Sequence, residues 1–166
     1  VKYFAYTYTM PSGYTETNQR VENPTADQVN NKLFNGASDV VSSGYAEGGA
    51  IYNKDSITSI TGDFIGNYAE TSSSAYGGAI YNYRSGTITS ITGDFIDNFA
   101  KANSASAYGG AIYNYSSGTI TSITGDFIDN FAKANSASAY GGAIYNYSSG
   151  TITSITGDFI DNFAKA

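Results

Sequence analysis

The side chains of this sequence that could do chemistry are mainly carboxylates, hydroxyls and phenols. Asp126 and Asp129 lie three residues apart, and a carboxylate pair can act as acid and base on a polysaccharide or hold Ca²⁺. The chain has no His and no Cys, which excludes imidazole bases, thiolate nucleophiles, disulfides and almost every zinc or iron site. The Asp pattern recurs in three repeats and suits turns, whereas an active site needs one differentiated constellation. We therefore predict that the chain is not an enzyme and needs no cofactor, with Ca²⁺ as the alternative.

Charge and composition favour a protein that works outside the cell. The 166 residues include 14 Asp and Glu against 8 Lys and Arg, and the resulting net charge of -6 opposes binding to nucleic acid or anionic lipid. Only 13% of the residues are charged, beside 19 Gly and 16 Tyr, a composition that resembles extracellular β proteins. No run approaches the ~18 apolar residues of a membrane helix. We expect a secreted or cell-surface protein that neither binds nucleic acid nor inserts into a membrane.

A tandem repeat supplies the elements that position these residues. The hexapeptide Gly-Gly-Ala-Ile-Tyr-Asn begins at Gly48, Gly77, Gly109 and Gly141, with spacings of 29, 32 and 32 residues. Each unit predicts three strands, GAIYNY, TITSI and FIDNFA, separated by SSG and TGD turns and followed by the loop KANSASAY. Stacking the units in register pairs every strand with its copies about 4.8 Å above and below. The sequence therefore predicts an all-β parallel β-solenoid over residues 48–166, with about four coils of three strands and a period of 32 residues.

Alternation along each strand predicts which side chains point inward. The central Ile and the first Phe face the core, and an inward Asn can pass amide hydrogen bonds to its copies. A bend at Asp129 and Asn130 keeps the carboxylate out of the core, with Phe127 and Phe131 both inside. The predicted buried ladder is Ile51, Ile80, Ile112, Ile144, Phe64, Phe95, Phe127, Phe159, Asn53, Asn82, Asn114 and Asn146.

The same alternation places a stripe of tyrosines outside. The predicted exposed stripe is Tyr52, Tyr81, Tyr113 and Tyr145, accompanied by Tyr83, Tyr115 and Tyr147. Such a stripe can stack on sugars or pack laterally against another fibre, and stacking between coils alone would also explain it.

Residues 1–47 lie before the repeats and are predicted to be a cap or an assembly segment. The large side chains of Phe4, Tyr6, Tyr8 and Met10 alternate with small ones, which predicts a strand. Asn23-Pro24 followed by TADQVNNKLF predicts a short helix. The array stops at Ala166 with unpaired strands, so we expect copies to join end to end, with the first strand donated to the bare coil. The alternative is a fragment of a longer array.

Two alternating motifs resemble a known group of proteins. The GGAI motifs (Gly48–Ile51, Gly77–Ile80, Gly109–Ile112, Gly141–Ile144) and the FxxN motifs (Phe64–Asn67, Phe95–Asn98, Phe127–Asn130, Phe159–Asn162) resemble those of chlamydial polymorphic membrane proteins and similar autotransporter adhesins. The resemblance covers residues 48–166 and implies a secreted right-handed β-helix passenger that adheres to a host or matrix ligand.

The Thr-Ile-Thr segments also resemble the T-x-T ranks of β-solenoid ice-binding proteins. These segments are Thr87–Thr89, Thr119–Thr121 and Thr151–Thr153. The predicted function is thus an extracellular structural or adhesive solenoid that forms a surface fibre. The alternative is a repetitive binder of ice, of polysaccharide or of a Ca²⁺-dependent ligand.

Overall fold

The repeats fold as the coils of a parallel β-solenoid. The computed structural model describes residues 8–166, which form about five turns with almost no helix. The repeat coils pair in register, so that Ile80 lies beside Ile51 on one side and Ile112 on the other. The pairing of the first coil with the second shifts register between Asn30 and Lys32. The predicted fold class is therefore confirmed, with one coil more than the four expected.

The strands follow one another around the coils in the same order. The first coil and its approach contain β1 (Thr15–Thr17), β2 (Val21–Glu22), α1 (Ala26–Val29), β3 (Asn30–Asn35), β4 (Ser38–Val41) and β5 (Ala46–Glu47). The second coil contains β6 (Ile51–Asn53), β7 (Ser56–Ile65), β8 (Tyr68–Thr71) and β9 (Ala75–Tyr76). The third contains β10 (Ile80–Tyr83), β11 (Thr87–Thr92), β12 (Phe95–Ile96), β13 (Phe99–Ala102) and β14 (Ala107–Tyr108). The fourth contains β15 (Ile112–Tyr115), β16 (Thr119–Thr124), β17 (Phe127–Ile128), β18 (Phe131–Ala134) and β19 (Ala139–Tyr140). The fifth contains β20 (Ile144–Tyr147), β21 (Thr151–Thr156), β22 (Phe159–Ile160) and β23 (Phe163–Lys165).

Four parallel sheets run along the solenoid. Three of them have the orders β2-β6-β10-β15-β20, β4-β8-β13-β18-β23 and β5-β9-β14-β19. The fourth sheet is nine-stranded, because the long strand β7 pairs with β11, β12 and β3, and β3 in turn pairs with β1.

The third and fourth coils each contain five short strands, and the second and fifth contain four, instead of the three expected. The segment FIDNFA is split into β17 and β18 at Asp129, whose backbone has a φ of 56°. The predicted loop KANSASAY carries the end of β18 and the strand β19. Its small residues suit a narrow space, where a second core packs alanines such as Ala102 against Ala107 and Ala134.

The N-terminal region adds a coil of its own. The helix predicted over TADQVNNKLF is wrong for most of its length, because α1 ends at Val29 and Asn30–Asn35 is a strand paired with β7. Strand pairing with β1 and with β7 of the next coil has overridden the helical signal there. Of the predicted assembly strand, Phe4 and Tyr6 lie outside the described residues, and Tyr8 and Met10 are not in a strand. No helix in residues 8–166 is long and apolar enough to cross a bilayer.

Columns of identical apolar side chains fill the main core. Ile51, Ile80 and Ile112 are fully buried. The rings of Phe34, Phe64, Phe95 and Phe127 stack coil on coil, with centroids 4.7 Å apart between Phe95 and both of its neighbours. At the fifth coil Ile144 is partly buried and Phe159 is 49% exposed, since the structure shows no coil beyond it. The predicted ladder is thus buried in the inner coils and open at the last.

Phe131 does not lie in the core, contrary to prediction. The bend at Asp129 turns Asn130 inward, and the strand beyond it then buries Ala132 and leaves Phe131 half-buried on the outside. There Phe131 stacks between Phe99 and Phe163 at centroid distances of 4.9 and 5.1 Å. This outer aromatic file is a surface feature of the solenoid.

Candidate functional site

A tight glycine corner joins the strands that build the candidate site. Gly77 has a φ of 66°, which favours glycine, and a Cβ on Gly78 would lie 2.1 Å from the carbonyl oxygen of Gly110. The corner therefore accepts only glycine. It brings Tyr76, at the end of one coil, against Tyr81 in the next strand, with ring centroids 5.2 Å apart.

Three tyrosines repeat as a unit at this corner. In each unit a central tyrosine contacts one from the preceding short strand and one two residues later, as Tyr81 contacts Tyr76 and Tyr83 at 5.2 Å. The three units, called here the tyrosine triads, are Tyr76/Tyr81/Tyr83, Tyr108/Tyr113/Tyr115 and Tyr140/Tyr145/Tyr147. The triads, with Tyr45 and Glu47 at one end, line a cavity of about 510 Å³, which we call the tyrosine groove.

The central tyrosines form the floor of the groove and are not the exposed stripe that the sequence predicts. Tyr81 and Tyr113 are each only 3% exposed, and Tyr52 and Tyr145 are partly buried. The alternation is correct, because these rings point away from the Ile core. They are buried because tyrosines from both flanking segments cover them. Tyr147 at the open end is 52% exposed.

The rings are in register from coil to coil. Tyr81 and Tyr113 stack at 5.2 Å with an interplanar angle of 4°, and Tyr83 and Tyr115 stack at 5.8 Å with 6°. Tyr108 and Tyr140 stack at 5.2 Å with 8°. The groove is therefore a translational repeat along the solenoid axis, and its faces of aromatic carbon are largely covered by the neighbouring rings.

Glu47 is the one charged side chain that lines the groove within residues 8–166. It takes the place of a wall tyrosine in the first coil, in register with Tyr76. Burial raises the pKa of the Glu47 carboxyl. Arg20 stands beside it and donates from Nη2 to the Glu47 carbonyl oxygen at 2.6 Å and from Nε to the Gly48 carbonyl oxygen at 2.8 Å. The groove thus has a charged end and an uncharged length.

Burial keeps four phenols in or beside the groove protonated under physiological conditions. Burial raises the pKa of Tyr52 and of Tyr76 to about 12, and it raises the pKa of Tyr81 and Tyr113 further still. Each hydroxyl is therefore available as a hydrogen-bond donor as well as an acceptor.

The predicted asparagine ladder is present. Asn53, Asn82 and Asn114 are fully buried, and each donates from Nδ2 to the Oδ1 of its copy one coil further, at 2.9, 2.8 and 2.8 Å. Asn146, at the end of the ladder, is exposed. These amides also donate hydrogen bonds to backbone carbonyl groups in the turn that follows the Ile-Tyr-Asn-Tyr strand. Asn114, for example, donates to the Gly118 carbonyl oxygen at 2.9 Å.

A second asparagine ladder was not predicted. It runs through the last residue of each FxxN motif, and Asn67, Asn98 and Asn130 are fully buried. Asn98 donates from Nδ2 to Asn130 Oδ1 at 2.9 Å and to the Phe64 carbonyl oxygen at 2.9 Å. The signal that could have revealed it is an Asn that recurs directly after a residue suited to positive φ.

The aspartates considered as catalytic or Ca²⁺-binding residues have structural partners. Asp126 Oδ1 accepts the N–H of Asp158 at 2.9 Å, and Asp94 Oδ1 accepts that of Asp126 at 2.9 Å. Asp129 occupies the bend. Burial raises the pKa of the Asp94 carboxyl. In the described part of the chain, no three acidic side chains gather as a metal site.

The threonine ranks form a separate face. The first and third residues of each Thr-Ile-Thr segment point outward, and the Ile between them is buried in the inner coils, as Ile88 and Ile120 are. The exposed column on this face is Thr58, Thr89, Thr121 and Thr153.

Comparison with known proteins gives no match: no protein-family model, no curated protein and no solved structure matches this chain.

Proposed function

We propose that the chain is an extracellular, non-catalytic β-solenoid with a structural and adhesive role, and that the tyrosine groove is its binding surface. The observation that carries the proposal is the groove itself, in which three identical tyrosine triads follow one another in register. Tyrosine combines a large apolar ring with a polar hydroxyl, and it is enriched where proteins bind partners.

The repetition argues for binding instead of catalysis. A catalytic centre needs one set of groups placed once around the reacting atoms, whereas the triads offer the same groups at every coil. A repeated surface binds a repeated or extended ligand. The low charge of the chain and the likeness of its GGAI and FxxN motifs to those of autotransporter adhesins support a location at the cell surface.

The adhesion proposal is tested with beads that carry the purified chain, applied to an epithelial cell layer under gentle flow. Tyr115→Ser opens the groove wall in the fourth coil, and Phe131→Ser is its matched control, because Phe131 is also a half-buried ring stacked in an outward file of that coil. We expect Tyr115→Ser beads to detach and Phe131→Ser beads to stay bound. Equal retention of both would overturn the role of the groove.

We further propose that copies of the chain stack end to end into a fibre. The outer face of the fifth coil exposes Ile155, Phe159 and Phe163 by 40, 49 and 48%, and the inner coils bury or half-bury the equivalent positions under the next coil. A coil of another copy would cover this face in the same way.

Electron microscopy tests the fibre. We expect filaments from the whole chain and monomers after removal of residues 1–12. Filaments that persist unchanged would rule out a donated N-terminal strand, and a whole chain that stays monomeric at high concentration would rule out the fibre.

The threonine face favours ice binding as a second candidate function. Its outward hydroxyls repeat at the strand spacing on a parallel sheet, a regular array that can match a regular solid surface. Thermal hysteresis measures this activity directly. We expect it to disappear in Thr121→Tyr if the face binds ice, and a native chain without hysteresis removes this candidate.

A further inference from the structure

We propose that the tyrosine groove binds a proline-rich peptide segment in the polyproline II conformation, lying parallel to the solenoid axis. This inference rests on the proposed function, because it names the class of ligand for the same groove. It goes further in predicting the conformation, the direction and the sequence spacing of that ligand.

The period of the groove matches the period of a polyproline II helix. Such a helix has three residues per turn and rises about 3.1 Å per residue, so that positions i and i+3 lie about 9.3 Å apart on the same side. Tyr81 and Tyr145 lie on the groove floor two coils apart. Two strand spacings amount to about 10 Å. One prolyl residue over the first triad therefore places the prolyl residue three positions later over the third.

The chemistry of the groove suits the backbone of such a peptide. A polyproline II helix makes no internal hydrogen bonds, so its carbonyl groups point outward and need donors. The wall tyrosines, including Tyr83, Tyr115 and Tyr147, offer phenolic hydroxyls along the whole groove. Proline-rich segments dock into aromatic-lined grooves because the helix is already formed and loses little entropy on binding. Burial raises the pKa of Tyr76, Tyr81 and Tyr113, so these three phenols stay neutral.

The stacking of the rings favours a peptide over a polysaccharide. Sugar rings bind aromatic residues through exposed ring faces, but Tyr113 has its faces against Tyr81 and Tyr145 at 5.2 and 5.4 Å. What the groove presents is ring edges and hydroxyls, which suit the carbonyl groups of a peptide. The uncharged length of the groove, on a chain with a net charge of -6, disfavours an acidic polymer.

The test titrates the whole chain with acetylated and amidated decaproline by isothermal calorimetry. We expect saturable binding, and we expect none to a Gly-Ser peptide of the same length. Tyr115→Ser and the more exposed Tyr147→Ser should each weaken binding about tenfold. Phe131→Ser should bind as the native chain does. Circular dichroism identifies any variant that is unfolded, and Tyr147→Ser is the variant least at risk because its side chain is 52% exposed.

Three outcomes contradict the inference. The first is the absence of saturable decaproline binding, and the second is equal binding by the groove variants and the native chain. The third is cellohexaose binding that depends on Tyr115 but displaces neither decaproline nor the cell-bound beads. If beads that carry the groove variants detach from cells but the native chain does not bind decaproline, the proposed ligand class is wrong and the proposed function stands. If the groove variants adhere normally, the proposed function itself fails, whatever decaproline does.

Discussion

At the residue scale, the buried asparagines show how a repeat satisfies polar groups without water. Asn82 donates from Nδ2 to Asn114 Oδ1 at 2.8 Å and to the Gly86 carbonyl oxygen at 2.9 Å. Throughout residues 8–166, every buried side-chain nitrogen and oxygen has a hydrogen-bond partner. Burying an amide without such partners costs free energy, so each ladder holds only if its copies stay in register.

Removing one rung of the ladder should therefore destabilise its neighbours. Asn114→Ala removes one of the two acceptors of Asn82 Nδ2 and one of the two donors to the Gly118 carbonyl oxygen. We expect the free energy of unfolding in urea to fall by about 1–3 kcal/mol. Asn135→Ala is the control, because Asn135 is exposed and lies outside both ladders. Equal losses for the two variants would contradict the ladder as a source of stability.

The buried phenols make stability depend on alkaline pH. The unfolded chain loses tyrosine protons near pH 10, whereas the folded chain keeps those of Tyr52 and Tyr76 until about pH 12 and that of Tyr113 still longer. Because the native state then binds more protons, this stabilisation is complete below about pH 10 and declines as the pH rises further.

Urea titrations on both sides of about pH 10 check this sign. We expect the unfolding midpoint to be flat from neutral pH up to that pH and to drop above it. Tyr113→Phe keeps the ring but removes one titrating group, so its decline should be shallower. A Tyr113→Phe decline as steep as that of the native chain would show that this phenol is not protected.

At the element scale, the glycine corner and the aspartate bend shape every coil. A Cβ on Gly110 would lie 2.0 Å from the Gly142 carbonyl oxygen and 2.6 Å from the carbonyl carbon of Phe131, so two backbones meet there. The aspartate bend requires a positive φ but is not crowded. Gly66 has a φ of 63° and open space around it, and Asp97 occupies the equivalent position with a φ of 58°.

Substitutions at these two places should separate crowding from backbone conformation. Gly110→Ala forces neighbouring coils apart, and we expect a lower melting temperature together with loss of the groove that begins at this corner. Gly66→Asp copies what later repeats already contain, and we expect a change below about 1 kcal/mol. Thermal unfolding followed by circular dichroism compares them. A well-tolerated Gly110→Ala would show that the coils are not packed as described.

The sequence predicted the elements that depend on alternation and repetition, and it failed where chain direction changes. Ile112 and Asn114 were placed correctly because one straight strand contains both. Phe131 was placed wrongly, because positive φ at Asp129 restarts the alternation and no pattern states in which phase it restarts. The repeat pattern therefore predicted the bend at Asp129 but not the side of the strand to which Phe131 points after it.

Contacts between segments were equally beyond the pattern. Tyr113 points outward as predicted, yet Tyr108 and Tyr115 cover it, and this depends on the angle that the Gly-Gly corner imposes. The groove was therefore missed, and so were its wall residues Tyr76, Tyr108 and Tyr140, although the other two tyrosines of each triad were identified. In the first coil, Asn30–Asn35 pairs with β7, a contact with no repeat signal of its own.

At the scale of the whole molecule, the solenoid is a one-dimensional stack. Each coil contacts its neighbours above and below. Phe127 is fully buried between two coils, whereas Phe159, its equivalent in the last coil, is exposed. In such a stack the total stability is close to a sum of coil and interface contributions. The groove, the ladders and the threonine face all lengthen with every added coil.

The most direct test of this stacking is a molecular ruler built on the threonine face. The chain has no Cys, and Thr58 and Thr153 are exposed on the same face three coils apart, so Thr58→Cys with Thr153→Cys accepts two spin labels. Pulsed dipolar resonance should find the attachment points about 14 Å apart. Insertion of one or two further copies of residues 103–134 should lengthen the distance by about 4.8 Å each time, with a narrow distribution. A distance that does not grow in such steps, or a broad distribution, would contradict the in-register solenoid.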